Sequence, residues 1–362
     1  MRLSTFAPLF LNNRLTEITL YTTGKCNFSC AHCFVARRLN KKYDELTLDE
    51  LKKIGSFVPA LQRISLSGGE PFLRKDIKEM AVLFSNSWRA EHVVIPTNGH
   101  FTKNITETIE HFGKNGKGRL RILFSLTGIG KEMEAFVRVP GSFERWKQSL
   151  ASAKDAAKDC PNVELGVLSS YHEQNQDRFF ELMDFVMNEC GIEDFSFALV
   201  RPHKRYRPKL NLDRFEQVLL EYYKKRNKQP AFTRAYRELY REMLLSYYRN
   251  PRMIVPCQSG KMRIVISPEG DVYPCETLGF PADHPEPWHI GNLRESGYNL
   301  SNLMRSSRAQ TLHRKIVRDK CHCHDGCDLS LSLLASTPFK LKIFFRGMKY
   351  LMMPSPGRGA SG

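Results

Sequence analysis

The sequence predicts an α/β protein: a partial, TIM-like (β/α)6 barrel, then a helical connector and a small cysteine-rich C-terminal extension. Three observations lead there. Short apolar, β-branched runs alternate with amphipathic segments from residue 16 to residue 200, in units of about 30 residues. No uninterrupted apolar run reaches the ~18 residues that a membrane-spanning helix needs. Ten cysteines are present, and eight of them lie in two clusters outside the helical segments of that alternation.

Each element has its own reason. EITLYTT (17–23), RISLS (63–67), HVVIPT (92–97), RILFSLT (121–127), VELGVLSS (163–170) and FSFALV (195–200) are continuous apolar strands, the pattern of a parallel sheet covered on both faces. Between them, 46–58, 76–86, 103–112, 142–156 and 175–189 carry helical spacing. The first opens on Thr–Asp, and Ser142 is the expected N-cap of the fourth. Right-handed crossovers curl such a sheet into a full or partial barrel and bring functional residues to the C-terminal strand ends. Residues 204–250 break the alternation with two basic, Tyr-rich helices, expected at 211–228 and 232–248. MRIVISPEGDVYP (262–274) reads as a hairpin around a Pro-Glu-Gly-Asp turn, followed by a helix over 300–317. The expected segments are therefore 1–15, an N-terminal stretch; 16–203, the barrel; 204–256, the connector; 257–330, the extension; and 331–362, an amphipathic basic tail. Its last nine residues, PSPGRGASG, are expected to be disordered.

The N-terminus, MRLSTFAPLF, has no signal-peptide h-region or cleavage site, so a cytoplasmic location is expected. Net charge is +17, much of it between residues 201 and 252. Solvated helices account for this. The sharper alternative is a surface for an anionic partner, such as a phosphorylated substrate, an acidic peptide or anionic lipid. No nucleic-acid-binding module is recognisable, so no nucleic-acid partner is expected.

In a reducing compartment, clustered cysteines indicate metal or redox chemistry. Cys160 and Cys190 stand alone and read as structural thiols. The loop CNFSCAHC puts Cys26, Cys30 and Cys33 within eight residues, just after the first strand. Zinc held by these three with His32 or His100 is one reading, but structural zinc sites draw ligand pairs from two knuckles. A [4Fe–4S] cluster held by three thiolates is the other. It leaves one iron open to chelate a small molecule through an amine and a carboxylate.

CxxxCxxC, with His32 at the aromatic position before the last cysteine, resembles the signature of radical S-adenosylmethionine (SAM) enzymes. SGGEP (67–71), one βα unit later, resembles that family's second motif. Asn98 in TNG, Ser125 in FSLTG and Arg138 in AFVRVPGSF are further matches; Thr127 stands where the family has Asp. The resemblance covers residues 16–200. It implies that Cys26, Cys30 and Cys33 hold a [4Fe–4S] cluster, and that His32, Gly68, Gly69, Glu70, Asn98, Ser125 and Arg138 contact SAM. Gly68 and Gly69 would allow close backbone approach, and the Glu70 carboxylate would pair with the SAM ammonium. The implied chemistry is reductive cleavage of SAM to a 5′-deoxyadenosyl radical that abstracts hydrogen from a substrate C–H bond. An electron donor such as flavodoxin or ferredoxin is implied.

Cys257 and Cys275 flank the hairpin, and KCHCHDGCDL adds Cys321, Cys323 and Cys327. Zinc bound by four of these, or with His322 or His324, is an alternative. The region resembles the SPASM and shorter twitch extensions of radical SAM enzymes, which hold auxiliary [4Fe–4S] clusters. Five cysteines imply one auxiliary cluster. The spacing CxCxxxC replaces the usual CxxC, so Cys321 and Cys323 compete for the third ligand, with Cys327 as the fourth. IGNLRES (290–296) is expected to pack the extension onto the barrel.

The expected function is hydrogen abstraction from a small molecule, with net oxidation or epimerisation. A peptide-modifying maturase is the alternative from another class; a lipid-linked substrate and a non-catalytic iron–sulfur protein are two more. No motif names a catalytic acid, base or hydrogen donor. The tail FKLKIFFRGMKYLMM (339–353) reads as a segment packed on the barrel, or as a peripheral membrane contact.

Overall fold

All six expected strands form and assemble one parallel sheet. In the computed structural model, which describes residues 14–203, 205–225, 230–279, 288–323 and 326–352, the strands are β1 (Glu17–Tyr21), β2 (Arg63–Ser67), β3 (His92–Thr97), β4 (Arg119–Ser125), β5 (Val163–Tyr171) and β6 (Phe195–Leu199). They pair side by side in chain order, with Ile18 opposite Ile64, Ile64 opposite Val93 and Val93 opposite Leu120. The sheet does not close into a barrel. Its β1 edge is instead continued by the hairpin β7 (Arg263–Ile266) and β8 (Asp271–Tyr273), then β9 (Gly291–Asn292). β7 runs parallel to β1, with Leu20 opposite Ile266, so the hairpin expected in a separate extension is part of the main sheet.

The crossover helices are α1 (Leu48–Gly55), α2 (Ile77–Asn86), α3 (Thr102–Asn115), α4 (Lys131–Val137), α5 (Ser142–Ala157) and α6 (Phe179–Asp184). α1 starts in a capping box: the Glu50 amide donates to the Thr47 hydroxyl at 3.3 Å, and the Thr47 amide donates to the Glu50 carboxylate at 2.8 Å. Ser142 is not the N-cap of α5. Gly141, at φ 73°, holds that position because the turn before the helix needs a left-handed residue, and Ser142 is buried as the first helical residue. α4 lacks a periodic signal long enough to detect. The helix expected at 175–189 is broken into a 3-10 turn, α6 and a π-helical turn over Phe185–Glu189.

The chain divides into two compact units that cut across the expected boundaries. The sheet unit comprises residues 15–210 and 259–315, including α9 (Glu276–Gly279), α10 (Leu300–Arg305) and α11 (Ser307–Arg318) as far as Lys315. IGNLRES packs here as expected: the Arg294 guanidinium donates to Glu50 at 2.6 Å and to the Asp44 carbonyl at 2.9 Å, clasping α1.

The helical unit comprises, among the described residues, Arg14, 211–258 and 316 onward. Its helices are α7 (Leu212–Lys225), α8 (Ala231–Arg249), α12 (Gly326–Ala335) and α13 (Thr337–Met352). Ala235, Leu239, Leu333, Phe339 and Ile343 form its core. The tail helix α13 packs on α8, within this unit. Gly347 permits this, because a Cβ there would stand 2.4 Å from the Phe232 ring. The basic charge of the connector is partly neutralised within the unit: Arg234 pairs with Glu238 at 2.9 Å, Arg346 with Glu242 at 2.7 Å, and Arg249 with Glu216. Thirteen N-terminal residues, the PSPGRGASG tail and His324 lie outside the described residues.

Candidate active site

The loops that follow β1 to β5 meet at the C-terminal end of the sheet, where parallel topology collects functional groups. The loop bearing Cys26, Cys30 and Cys33 is tied down at several points. Asn40 clasps Cys26, accepting from its amide at 2.9 Å and donating to its carbonyl at 3.0 Å. It does so from a left-handed backbone at φ 57°. The Ser29 and Ala31 amides donate to Val137 and Phe136 carbonyls of α4 at 3.3 and 3.1 Å. Glu45 accepts from the Thr23 hydroxyl at 2.6 Å and the Gly24 amide at 3.0 Å.

SGGEP closes onto this loop. The Gly69 amide donates to the Thr23 carbonyl at 2.9 Å and the Glu70 amide to the Lys25 carbonyl at 2.8 Å. A Cβ on Gly68 would stand 2.6 Å from the Thr23 carbonyl oxygen, and one on Gly69 only 2.0 Å from that of Lys25. The space these glycines free is filled by the backbone of the cysteine loop. Glu70 is fully buried: it accepts from the Phe72 amide at 3.1 Å, the Thr97 hydroxyl at 2.9 Å and the Asn98 amide at 2.7 Å. Burial still raises its pKa to about 7. It joins the ends of β2 and β3 and keeps acceptor capacity on one oxygen. Asn98 reaches across to Asn27, donating at 2.8 Å.

The thiols have the chemistry of a cluster site. Burial pushes Cys26 up to about 11 and Cys30 up to about 12, and raises Cys33; mutual repulsion adds to the rise at Cys26 and Cys30. Arg138, exposed and left-handed at φ 61°, acts in the opposite direction on Cys30. Three half-buried thiols in one loop would become thiolates where a metal centre supplies positive charge, which fits an iron–sulfur cluster. Among the described residues, no three His, Cys, Asp or Glu side chains converge at single-ion spacing.

His32 starts an aromatic column that no motif announced. Its ring stacks on Phe136 at 4.9 Å, and Phe136 stacks on His172 at 3.8 Å, nearly parallel. The His32 Nδ1 is buried without a hydrogen-bond partner. Burial lowers His32 and His172 to about 4, so both rings are neutral. His172 Nε2 lies 2.9 Å from the Thr127 carbonyl, and its Nδ1 lies 3.0 Å from Gln174 Oε1 and 3.2 Å from the Gln174 amide nitrogen. Asn175 donates to the same carbonyl at 3.0 Å. Ser125, half-buried at the end of β4, stands beside this group in the chain.

A second unannounced feature is a buried ionic network. The Tyr21 hydroxyl donates to Glu276 at 2.8 Å; Arg201 and Arg263 donate to the other carboxylate oxygen at 3.0 and 3.4 Å. Arg201 also lies 4.7 Å from the Phe34 ring. The network links the neighbour of Cys33 to the neighbour of Cys275. Burial, with Glu276 beside it, holds the Tyr21 phenol well above its ordinary pKa.

The second cysteine set is divided between the units. Cys275 is buried in the sheet unit, immediately after β8. Cys257, Cys321 and Cys323 belong to the helical unit. There, the Cys321 amide donates to the Ile316 carbonyl at 3.0 Å, and burial with Asp328 and Asp319 nearby raises its thiol pKa. Cys327 is the second residue of α12; its side chain lies outside the described residues.

Residues 20–186 match the radical SAM superfamily, and residues 257–328 match the SPASM iron–sulfur cluster-binding domain. The chain carries a radical SAM domain followed by a SPASM domain. Its radical SAM and SPASM domains imply a [4Fe–4S] cluster, SAM and an auxiliary cluster. An AdoMet-dependent heme synthase of Methanosarcina barkeri is 26% identical over 294 residues, covering 76% of this chain and 78% of that protein. A GTP 3′,8-cyclase of Syntrophomonas wolfei is 23% identical over 168 residues, 45% of this chain and 48% of the cyclase, so that match spans about half its length. Among solved structures, Streptococcus suis SuiB superposes with a TM-score of 0.62 at 18% identity, over 87% of this chain and 70% of SuiB. SuiB has also been solved with S-adenosylmethionine and with its precursor peptide SuiA. At that identity the likeness concerns the fold.

Proposed function

We propose that this radical SAM enzyme abstracts hydrogen from a small molecule and oxidises or epimerises it. The observation behind the net-oxidation reading is Cys275, buried in the sheet unit and adjacent to Glu276, whose carboxylate is hydrogen-bonded to Tyr21. A cluster held by Cys275 would supply an acceptor for the electron that an oxidised substrate gives up. A [4Fe–4S] cluster held by the first cysteine loop would supply the electron for reductive cleavage of SAM. The chain's own residues do the rest. Cys26, Cys30 and Cys33 hold the cluster; Asn40 and the Gly68–Gly69 turn fix their loop. The remaining acceptor position of Glu70 would take the SAM ammonium, and His32 would contact SAM from the cysteine loop. Neutral His172 orients Thr127 through its carbonyl. Reduction is assigned to a flavodoxin- or ferredoxin-like donor. Cys257, with Cys327 and one of Cys321 and Cys323, completes the auxiliary ligand set.

A peptide substrate is the second reading. It draws on the fold likeness to SuiB, which binds a precursor peptide. The test is anaerobic incubation of the reconstituted protein with SAM, reductant and a metabolite extract, in ordinary and deuterated water. A product two hydrogens lighter than its substrate, formed with 5′-deoxyadenosine, supports oxidation. One solvent deuterium gained without other change of mass supports epimerisation. A modified peptide with no modified metabolite overturns the small-molecule reading.

A further inference from the structure

The outer face of α13 is built like a helix that lies in a membrane surface. Its inner face, Phe339, Ile343 and Gly347, is buried in the helical unit. On the opposite side stand Leu341, Phe344, Phe345, Met348, Leu351 and Met352, with exposures of 52, 51, 67, 37, 61 and 74%. At about 100° per residue these six fall on one stripe roughly 120° wide. Such a stripe is unusual on a soluble surface, where large apolar groups scatter singly.

The flanks are charged in a matching way. Lys342 and Lys349 project along one border of the stripe and Lys340 along the other, by the same angular spacing. Among the described residues, none of the three meets a carboxylate, whereas Arg346, nearer the buried side, is held by Glu242 at 2.7 Å. Lysines beside an apolar stripe can extend their ammonium groups to a negatively charged plane while their methylene stems follow the apolar groups inward. α13 contains no acidic residue. The chain as a whole carries +17. No described helix is long and apolar enough to cross a membrane, so the arrangement suits lying on the surface rather than spanning.

We propose that the exposed face of α13 docks the protein on an anionic lipid surface, with Phe344, Phe345 and Met348 inserted between acyl chains and Lys340, Lys342 and Lys349 at the phosphate level. This docking is independent of the reaction proposed above. It needs neither cluster, and it separates the enzyme's location from its chemistry.

Flotation of the full-length reconstituted protein with vesicles tests it. Vesicles of phosphatidylcholine with phosphatidylglycerol should carry the protein upward; phosphatidylcholine alone should not. The triple variant Lys340→Glu, Lys342→Glu, Lys349→Glu should lose binding on the order of a hundredfold, as three interfacial cations are reversed. Phe344→Ser with Phe345→Ser should lose about tenfold or more. The variants alter exposed groups except for the half-buried Lys340, and none of these residues belongs to the buried core of α13, so iron content and melting temperature should match wild type. Failure to float with anionic vesicles overturns the proposal. So does a concentration-dependent dimer abolished by the Phe344/Phe345 variant, which would assign the stripe to a second copy of the chain.

Discussion

The two cysteine regions of this protein differ in how they are assembled. Cys26, Cys30 and Cys33 sit in one loop, inside one unit, held by hydrogen bonds from the ends of β1, β2 and α4. The second set comes from three separate stretches. Cys275 belongs to the sheet unit; Cys257, Cys321 and Cys323 belong to the helical unit. A loop site is specified by local spacing and by the few glycines that let its neighbours close in. A dispersed site is specified by the path of the whole chain. The first tolerates changes elsewhere and fails when its own loop is touched. The second depends on residues far away in sequence.

Replacing cysteines breaks the comparison most directly. Cys26→Ala/Cys30→Ala/Cys33→Ala should remove about four of about eight irons and abolish 5′-deoxyadenosine formation. Cys275→Ala should remove the other four and leave SAM cleavage in place. Iron analysis with an anaerobic turnover assay checks both. The same assay on Cys321→Ala and Cys323→Ala shows which of the two is a ligand, because only one should lose iron.

Gly69→Ala tests whether the first site depends on backbone fit. The new Cβ would meet the Lys25 carbonyl at 2.0 Å, so a loss of about 3 kcal/mol in stability and poor iron loading are expected. Ordinary iron loading and an unchanged urea midpoint would mean the loops can part without consequence. The bridge between the regions is tested by Glu276→Ala, which removes the carboxylate facing Arg201 and Arg263 and should cost about 3 kcal/mol. Tyr21→Phe, which removes one hydrogen bond and leaves the ion pairs, should cost about 1 kcal/mol.

A pH series sharpens the picture around the first site. His172 is held neutral with its folded pKa lowered to about 4, chiefly by burial. Its contribution is therefore complete above the unfolded value near 6.5 and is lost as pH falls through 4. On the order of 2 kcal/mol should be gone by pH 5. His172→Phe should flatten that part of the urea-stability profile, and an unchanged slope would show that His172 is not the titrating group. Asn40→Ala is the mildest change, about 1 kcal/mol in stability, with faster iron loss to a chelator as its signature.

Much of this was legible before any coordinates. The strand and helix alternation, the cysteine loop after β1 and SGGEP after β2 are local patterns with local physical causes: burial of apolar strand residues, thiolate spacing, and turns that only glycine can make. The sequence alone therefore determined the fold class, the family resemblance and the three cysteines of the first loop. The tertiary structure decided what has no local signature. Asn40 is one asparagine among many until the chain folds it back onto Cys26. Phe136 and His172 become a stack with His32 only because α4 and β5 end at the same rim. Glu276 gains its partners from β1, the end of β6 and β7, at separations of up to 255 residues. The parallel pairing of β7 with β1 was hidden for the same reason, because a hairpin reads the same in sequence whatever sheet it joins. Contacts between distant residues depend on chain path and mutual burial, and spacing along a sequence carries no record of either.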